Sequence, residues 1–198
     1  MGKFSSVRTI RTPRLLLVPV TSANAGVLWE LLQEPDLRDY QDLPDVDRAQ
    51  FLRVVAARPA RLGPGIVGRF EWLLEYAAGG GGELLGWVSL RIADSSRATA
   101  EIGYSVVRAH RCRGIATEAV GALVEEGFRR ARLRAIRAYC LPENLSSRAV
   151  LRHNGFDDEG TLARGATVQG KPVDVIVHSL DRRRWSAAVS ANPAATRS

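Results

Sequence analysis

A run of arginines and small residues, from Arg108 to Ala119, has the composition of an anion-binding turn. It lies between a segment that alternates like a strand and a segment with helical spacing. The first backbone N–H groups of a helix have no partner inside that helix and lie at the positive end of its dipole, so they attract phosphate. Gly114 lacks a Cβ and lets a diphosphate approach the backbone, and Arg111 and Arg113 can neutralise its charge. Turns of this composition also occur as simple connections, so the run alone does not identify a ligand.

The same run contains the motif of a known family. Arg111-x-x-Gly114-x-Ala116 matches the R/Q-x-x-G-x-G/A pyrophosphate loop of the GNAT superfamily of N-acetyltransferases. The longer run from Arg113 to Ala119 resembles the ribosomal-protein alanine acetyltransferase (RimJ/RimL-like) branch of that superfamily. The resemblance implies an acetyl-CoA-dependent enzyme whose loop holds the pyrophosphate of the cosubstrate.

A second motif of that branch follows at the expected spacing. Asn144-Leu145-Ser146-Ser147, then Val150-Leu151 and Asn154-Gly155-Phe156, resemble its N-x-x-S-x-x-V-L-x-x-x-G-F helix. Two independent motifs in the right order are far more specific than either alone. The resemblance covers about residues 10–185, which we interpret as one acetyltransferase domain.

The resemblance assigns a set of residues to acetyl-CoA. Backbone amides from Cys112 to Thr117 would hold the pyrophosphate, and Val106 and Val107 would flank the pantetheine arm, which lies like an extra strand where two parallel strands splay apart. Asn144 would hydrogen-bond the pantetheine. The expected cofactor-binding residues are therefore Val106, Val107, Arg111, Cys112, Arg113, Gly114, Ile115, Ala116, Thr117 and Asn144.

Ser147 is the candidate for protonating the leaving group. The resemblance implies that Ser147 lies near the CoA sulfur and protonates or hydrogen-bonds the departing thiolate. Many members of the family place a tyrosine for this task in the same helix, at the position where this sequence has Leu151. The departure favours Ser147 as the acid, or no protein acid at all. A role of Ser147 in capping its helix is the alternative.

Glu101 is the candidate base. Attack on the thioester needs a neutral amine, and an α-amine with a pKa near 8 is substantially neutral at cytoplasmic pH, whereas a lysine-like amine near 10.4 is only about 0.1% neutral. An α-amine therefore needs modest help from a base, which Glu101 could give through a water. A surface carboxylate is the alternative for Glu101. A backbone N–H near Val106 would hold the carbonyl oxygen as charge develops on it.

Apolar periodicity predicts the elements that must position these residues. Gly79 to Gly82 predicts a hairpin turn, and Gly165 to Gly170 predicts a loop between the last two strands. The predicted strands are Arg14–Val20, Arg69–Tyr76, Glu83–Ile92, Thr99–Val107, Arg134–Leu141, Phe156–Leu162 and Val173–Leu180, and the predicted helices are about Ala23–Gln33, Asp47–Ala57, Thr117–Arg130 and Leu145–His153.

The order of these elements predicts the fold class. The stretch from Thr99 to Leu141 is a β-α-β crossover, which joins parallel strands, whereas the hairpins on either side join antiparallel ones. We expect an α/β (α+β mixed), GNAT-like single domain, residues 10–185, with a central mixed, mostly antiparallel sheet of about seven strands flanked by about four helices. Residues 186–198 are rich in Ala, Ser, Asn and Pro, and we expect a disordered tail there.

Composition bounds the partners and the compartment. The net charge of +7 favours anionic partners such as nucleic acid, ribosomes or phosphorylated cofactors. All basic residues except Lys3 and Lys171 are arginine, however, which GC-rich codons produce whatever the partner. The sequence has no apolar run long enough to span a bilayer and no secretion signal, so we expect a cytoplasmic protein without membrane association. Cys112 and Cys140 fit a reducing compartment, and we expect no metal site.

Three functions stay open at this level. The first is acetylation of a protein N-terminal α-amine, including that of a ribosomal protein, with the acceptor entering between residues 34–68 and the Gly165–Gly170 loop. The second is the same chemistry on an aminoglycoside, a polyamine or an amino acid derivative. The third is a non-catalytic acyl-CoA-binding or nucleic-acid-associated module on the same fold. Ribosome association and a homodimer are left open. A cationic acceptor would need an acidic cleft, for which the sequence offers Asp36, Asp39, Asp42, Asp45 and Asp47.

Overall fold

The computed structural model describes residues 6–35, 46–78, 82–94, 96 and 98–191 of the chain. Over these ranges the chain forms eight strands, five α-helices and one turn of 3-10 helix at Arg108–His110. The strands are β1 (Ile10–Arg11), β2 (Leu15–Pro19), β3 (Gly68–Tyr76), β4 (Leu84–Asp94), β5 (Thr99–Val106), β6 (Ala135–Cys140), β7 (Asp157–Val168) and β8 (Lys171–Asp181). The helices are α1 (Ala25–Leu32), α2 (Arg48–Ala56), α3 (Ile115–Arg129), α4 (Leu145–His153) and α5 (Arg182–Ala191).

All the described strands belong to one sheet, in the order β1-β2-β3-β4-β5-β6-β8-β7. Every neighbouring pair is antiparallel except β5 and β6, which are parallel and are joined by the crossover helix α3. The predicted fold class, an α/β domain with a mixed and mostly antiparallel sheet, is confirmed.

The two faces of the sheet are covered differently. Helix α3 packs its apolar side, with Leu123 fully buried, on one face of the sheet, where Leu90 and Ile102 meet it. On the opposite face α1 and α2 cover only the part around Leu73 and Trp87. Because side chains alternate between faces along each strand, the rest of that face presents polar residues of β3, β4 and β5.

Gly86 is the point of closest approach between β4 and β5. A Cβ built on Gly86 would lie 2.1 Å from the carbonyl oxygen of Ser105 and 2.9 Å from Cα of Val106, and both are backbone atoms. The φ of Gly86 is +153°. Glycine at this position therefore lets β4 hold the last residues of β5 in register.

Strands β5 and β6 separate soon after they begin to pair. The structure pairs Thr99 with Ala135, Ala100 with Ile136 and Glu101 with Arg137. Beyond these pairs β5 runs on to Val106 and β6 runs on to Cys140 without pairing to each other. The gap between them opens next to the start of α3.

The structure corrects the sequence prediction at the last hairpin. Residues 165–170 were expected to form a loop, but β7 extends to Val168 and β8 begins at Lys171, so only Gln169 and Gly170 form the turn. Both turn residues have positive φ, 50° and 75°. Backbone pairing of Ala166 to Val168 with Lys171 to Val173 outweighs the low strand propensity of Ala166, and Gly165 lies in the irregularity between Leu162 and Ala166.

Three further boundaries differ from the prediction. The two-residue strand β1 adds an eighth strand, and it is too short to show alternation. Helix α3 begins at Ile115 rather than Thr117. The tail was expected to be disordered from residue 186, but α5 runs to Ala191, because Trp185 packs on Phe128 with ring centroids 5.1 Å apart and Asp181 accepts a hydrogen bond from the Arg184 N–H. Residues 192–198 lie outside the described ranges.

Several other predictions fall partly outside the described residues. The antiparallel pairing of β3 with β4 is present as expected, but Gly79, Gly80 and Gly81 of the connecting turn are outside the described ranges. The same holds for Asp36, Asp39, Asp42 and Asp45, whereas Asp47 caps α2 by accepting a hydrogen bond from the Gln50 N–H. Within the described ranges, no helix combines the length and the apolar character that crossing a membrane requires.

Candidate active site

The predicted phosphate loop forms the entry to α3. Cys112 has a φ of 59° and Gly114 a φ of 74°, so the chain turns twice through the left-handed region immediately before the helix. Gly114 is the N-cap residue, and no side chain caps the first turn. The N–H groups of that turn are therefore directed toward whatever occupies the space in front of the helix, which is the arrangement that binds phosphate.

Glu118, in the first turn of α3, ties this loop to the start of the sheet. Its carboxylate accepts hydrogen bonds from Thr12 Oγ1 at 2.6 Å, from Arg14 N–H at 2.9 Å and from Arg14 Nε at 2.6 Å. Arg14 also donates to the carbonyl of Arg113 at 2.9 Å. Burial acts to raise the pKa of Glu118, but the hydrogen bonds from Thr12 and Arg14 outweigh it, and the pKa is lowered.

Replacing Glu118 by glutamine is expected to destabilise the protein at neutral pH and to raise the KM for acetyl-CoA roughly three- to tenfold. Because the folded-state pKa lies below the ordinary value of 4.5, the stability from the ionised carboxylate is complete above that value and is lost as pH falls through the folded pKa. Thermal melts of both proteins from pH 7 into the acid range should therefore converge as pH falls. A constant difference in Tm would show that the charge of Glu118 is not the cause.

A cleft of about 480 Å³ lies between the phosphate loop, the end of β5 and the start of α4. It brings together the residues that the sequence assigned to acetyl-CoA, except Val107 and Arg113, which do not line it. The Val107 N–H instead bonds to the carbonyl of Leu85, and the Arg113 carbonyl accepts from Arg14. The cleft is lined by Tyr104, Ser105, Val106, His110, Arg111, Cys112, Gly114, Ile115, Ala116, Thr117, Asn144, Ser146, Ser147 and Val150.

The gap between β5 and β6 continues from this cleft, and its edge carries backbone groups that face inward. The carbonyl of Val106 accepts a hydrogen bond from Arg111 Nε at 2.8 Å. Since Val107 N–H points to β4, the alternation of a strand directs the N–H of Val106 into the gap. An extended polar arm fits such a gap because its amides can bond to exposed strand edges, and the Val106 N–H is placed to meet a carbonyl oxygen.

A second cleft, of about 310 Å³, opens on the face of the sheet that α1 and α2 leave uncovered. Its floor is formed by neighbouring side chains of β3, β4 and β5, including Arg69, Arg91 and Glu101, and the β7–β8 hairpin forms one wall with Ala166 and Thr167. Glu101 is 46% exposed, and its carboxylate lies 4.0 Å from the Arg91 guanidinium. A half-exposed carboxylate can exchange protons through water, as a base acting on a bound amine must.

The two clefts meet at Tyr104, Asn144 and Ser147, which line both of them. The Tyr104 hydroxyl lies 2.8 Å from Ser147 Oγ and 3.2 Å from the Ser147 carbonyl oxygen. Asn144 Oδ1 accepts a hydrogen bond from the Ser147 N–H at 3.0 Å and caps α4. Asn144 can therefore offer its amide N–H groups to a ligand, while its oxygen fixes the start of the helix that carries Ser147.

Sequence reasoning assigned no chemical role to Tyr104. In the sequence Tyr104 is one of the residues on the apolar face of an alternating strand. Nothing in that pattern indicates that its hydroxyl reaches α4. The available signal was that a buried tyrosine hydroxyl needs a hydrogen-bond partner. Burial raises the pKa of Tyr104 well above its ordinary value of 10, so the phenol stays protonated at any working pH.

In the described part of the chain, no group of three or more His, Cys, Asp or Glu side chains is arranged to hold a metal ion. Both cysteines are free thiols, with Cys112 exposed in the phosphate loop and Cys140 buried at the end of β6.

Comparisons with known proteins agree with this geometry. The N-acetyltransferase p20 of Bacillus licheniformis is 29% identical over 181 residues, which is 91% of this chain and 99% of p20. RimL, a ribosomal L7/L12 alpha-N-protein acetyltransferase solved in complex with coenzyme A, has a TM-score of 0.71 at 20% identity, covering 87% of this chain and 97% of RimL. The spermidine/spermine N-acetyltransferase SpeG of Vibrio cholerae has a TM-score of 0.71 at 16% identity, covering 89% and 99%.

The two solved structures establish a shared fold, and the family assignment rests on sequence. A family model described as an acetyltransferase (GNAT) domain matches residues 14–157, which is most of the chain. The catalytic interpretation of the sequence is thereby confirmed over the non-catalytic one. The chain belongs to the GNAT acetyltransferase family and is an acetyl-CoA-dependent N-acetyltransferase.

Proposed function

We propose that this enzyme acetylates the α-amine of a protein N-terminus in the cytoplasm, by direct attack of the amine on the thioester while both substrates are bound. The observation that carries the proposal is the meeting of the two clefts at Tyr104, Asn144 and Ser147. An amine in the second cleft and an acetyl group arriving through the gap between β5 and β6 would meet at this point. Direct transfer then needs no covalent enzyme intermediate.

The second cleft suits an acceptor that is already partly neutral. Among the described residues that line it, Glu101 is the only carboxylate, and it is half exposed rather than buried. A base in this setting gives modest assistance, which is enough for an α-amine with a pKa near 8 and much less adequate for an amine near 10.4. The RimL structure, whose protein acts on an α-amine, has the same fold.

Ser147 and Tyr104 form the proposed proton donor to the leaving thiolate. When the Tyr104 hydroxyl donates to Ser147 Oγ, the Ser147 hydroxyl is left to donate toward the junction of the clefts. Tyr104 stays protonated because it is buried, so its hydroxyl can act as the donor across the working pH range. The Val106 N–H would hold the carbonyl oxygen as negative charge develops on it.

Substituting Ser147 by alanine is expected to lower kcat roughly 10- to 100-fold with little change in the KM for acetyl-CoA, because a thiolate is a tolerable leaving group even without an acid. Tyr104→Phe should lower kcat less, about five- to tenfold, because Tyr104 acts through Ser147. The double variant should then be no slower than Ser147→Ala alone. Steady-state kinetics of the three variants test this, and additive losses would contradict a shared proton path.

A small cationic amine is the second candidate acceptor. The observation that favours it is the equal fold similarity to SpeG, a spermidine/spermine N-acetyltransferase. The acidic residues that would have to surround such a substrate, Asp36 to Asp45, lie outside the described ranges.

A CoA-release assay separates the two candidates. Purified enzyme and acetyl-CoA are offered N-terminal peptides, the same peptides with a blocked α-amine, aminoglycosides and spermidine, and mass spectrometry locates the acetyl group. We expect turnover of the free peptides alone. Turnover of blocked peptides that contain lysine, or of spermidine without the peptides, would refute acetylation of protein α-amines.

A further inference from the structure

A row of charged side chains follows the pairing of four strands, and Arg69, Arg91 and Glu101 of this row line the acceptor cleft, which is the second cleft described above. In register across four neighbouring strands lie Arg69 of β3, Arg91 of β4, Glu101 of β5 and Arg137 of β6. Paired residues of neighbouring strands point to the same face, and adjacent strands are about 4.8 Å apart. Glu101 therefore has an arginine on the neighbouring strand at either side, and a third arginine follows one strand further along.

The arginines are held in place and remain accessible. Two residues along β3 from Arg69, on the same face, the buried Glu71 pairs with both Arg58 and Arg69, so one carboxylate is shared between two guanidinium groups and one positive charge is left over. Arg69 bonds to Glu71 through Nε at 2.8 Å, and its side chain lines the cleft. Arg91 is 56% exposed and holds Glu101 only loosely, at 4.0 Å.

Trp87 also lines this cleft. Trp87 is 2% exposed, and among the described residues its Nε1–H has no hydrogen-bond partner. The Arg69 guanidinium lies over its ring, 6.0 Å from the centroid. The ring of Trp87 therefore packs under the Arg69 side chain at this end of the cleft.

We infer that the acceptor carries a carboxylate close to its reacting amine, and that Arg91, with Arg69 beside it, selects for that carboxylate. The inference rests on the proposed function and deepens it: the substrate is an N-terminus with an acidic side chain at its second or third residue. The amine lies at Glu101 and the acidic side chain one or two strands away. A polyamine would meet the same arginines as like charges.

The test compares acceptors that differ in one charge. We compare peptides that begin with alanine and carry glutamate, glutamine or lysine at the second or the third position. For each peptide kcat/KM is measured at low and at high salt. The wild-type enzyme should prefer glutamate over glutamine about two- to fivefold and lysine least. High salt should weaken the preference, because screening acts on half-exposed charges.

Arg91→Gln should reduce the glutamate-to-glutamine ratio to about one, and Arg91→Glu should invert the preference toward lysine. The measured quantity is the glutamate-to-glutamine ratio of kcat/KM, because Arg91 also contacts Glu101. If the substitution only impaired Glu101 as the base, it would slow all peptides equally and leave this ratio unchanged. Arg129→Gln is the matched control: Arg129 is 52% exposed, pairs with Glu125 and lies on α3 across the sheet. It should leave the ratio at the wild-type value.

The outcomes separate this inference from the proposed function. Peptide turnover with no acidic preference, or a preference that Arg91→Gln leaves intact, overturns the inference and leaves peptide acetylation standing. Turnover of free glutamate over free glutamine, without any peptide, overturns the proposed function and supports the selection of a carboxylate. Turnover of spermidine alone overturns both.

Discussion

Alanine at position 86 will lower the free energy of unfolding by about 3–5 kcal/mol, which corresponds to a fall in Tm of roughly 6–20 °C for a chain of this size. The new Cβ would lie 2.1 Å from the Ser105 carbonyl oxygen, and a backbone atom cannot rotate away as a side chain can. Either β4 or β5 must move, and with it the Val106 N–H. Activity per folded molecule should therefore fall as well.

Gly65→Ala separates this overlap from the conformational preference of glycine. Gly65 also has a positive φ, 77°, but a Cβ there would have no atom within 4 Å. Gly65→Ala should therefore lower the free energy of unfolding by only about 1–2 kcal/mol. Differential scanning calorimetry and chemical denaturation of both variants give the comparison. Equal losses at Gly86 and Gly65 would mean that contact with β5 contributes nothing.

Replacing Glu101 by glutamine will lower kcat about 100-fold near neutral pH, since a positioned base typically contributes 10²- to 10⁴-fold and an α-amine needs the lower part of that range. The loss should shrink as pH rises through the pKa of the acceptor amine, because the amine is then neutral without help. With a lysine-like acceptor the loss would persist to a higher pH. Initial rates of the wild-type and Glu101→Gln enzymes from pH 6.5 to 9.5, both saturated with acetyl-CoA, measure this pH dependence.

Glu125→Gln is the matched control for Glu101→Gln. Each glutamate is about half exposed, 42% for Glu125 and 46% for Glu101, and each pairs with one arginine. Glu125 lies on α3, away from the acceptor cleft. The control should retain wild-type rates at every pH. A Glu101→Gln enzyme that is equally active, or one whose defect is independent of pH, would remove Glu101 from the role of base.

Local sequence patterns predicted the parts of the site that depend on local geometry. The glycine turn before α3 and the extent of α4, from Leu145 to His153, are each set by residues close in sequence, so their spacing alone indicates the structure. The alternation of β5 likewise predicted that Glu101 faces away from Ile102. These features follow from the periods of helices and strands and from the needs of helix ends.

Features that depend on distant segments could not be predicted in the same way. The Tyr104–Ser147 contact joins residues 43 apart, and the Glu118 network joins α3 to residues about 105 positions earlier. The row from Arg69 to Arg137 requires the register of four strands, which no single strand specifies. Helix α5 is stabilised by the packing of Trp185 on Phe128, and its own polar composition gave no sign of it.

The short pairing between β5 and β6 leaves the two halves of the sheet joined by few backbone hydrogen bonds. Three residue pairs in the described chain connect the five strands β1 to β5 to the three strands β6, β8 and β7, and helix α3 spans the two from one face. Hydrogen exchange should be faster at the amides lining this gap than at the amides paired between β3 and β4, because local opening is easier where few ladder bonds resist it. An acetyl-CoA molecule lying between β5 and β6 would bind the edges of both strands and slow the exchange of their amides. Because it binds the folded state, it would also raise Tm. Binding of the cosubstrate should therefore stabilise the three C-terminal strands against local opening in proportion to its occupancy.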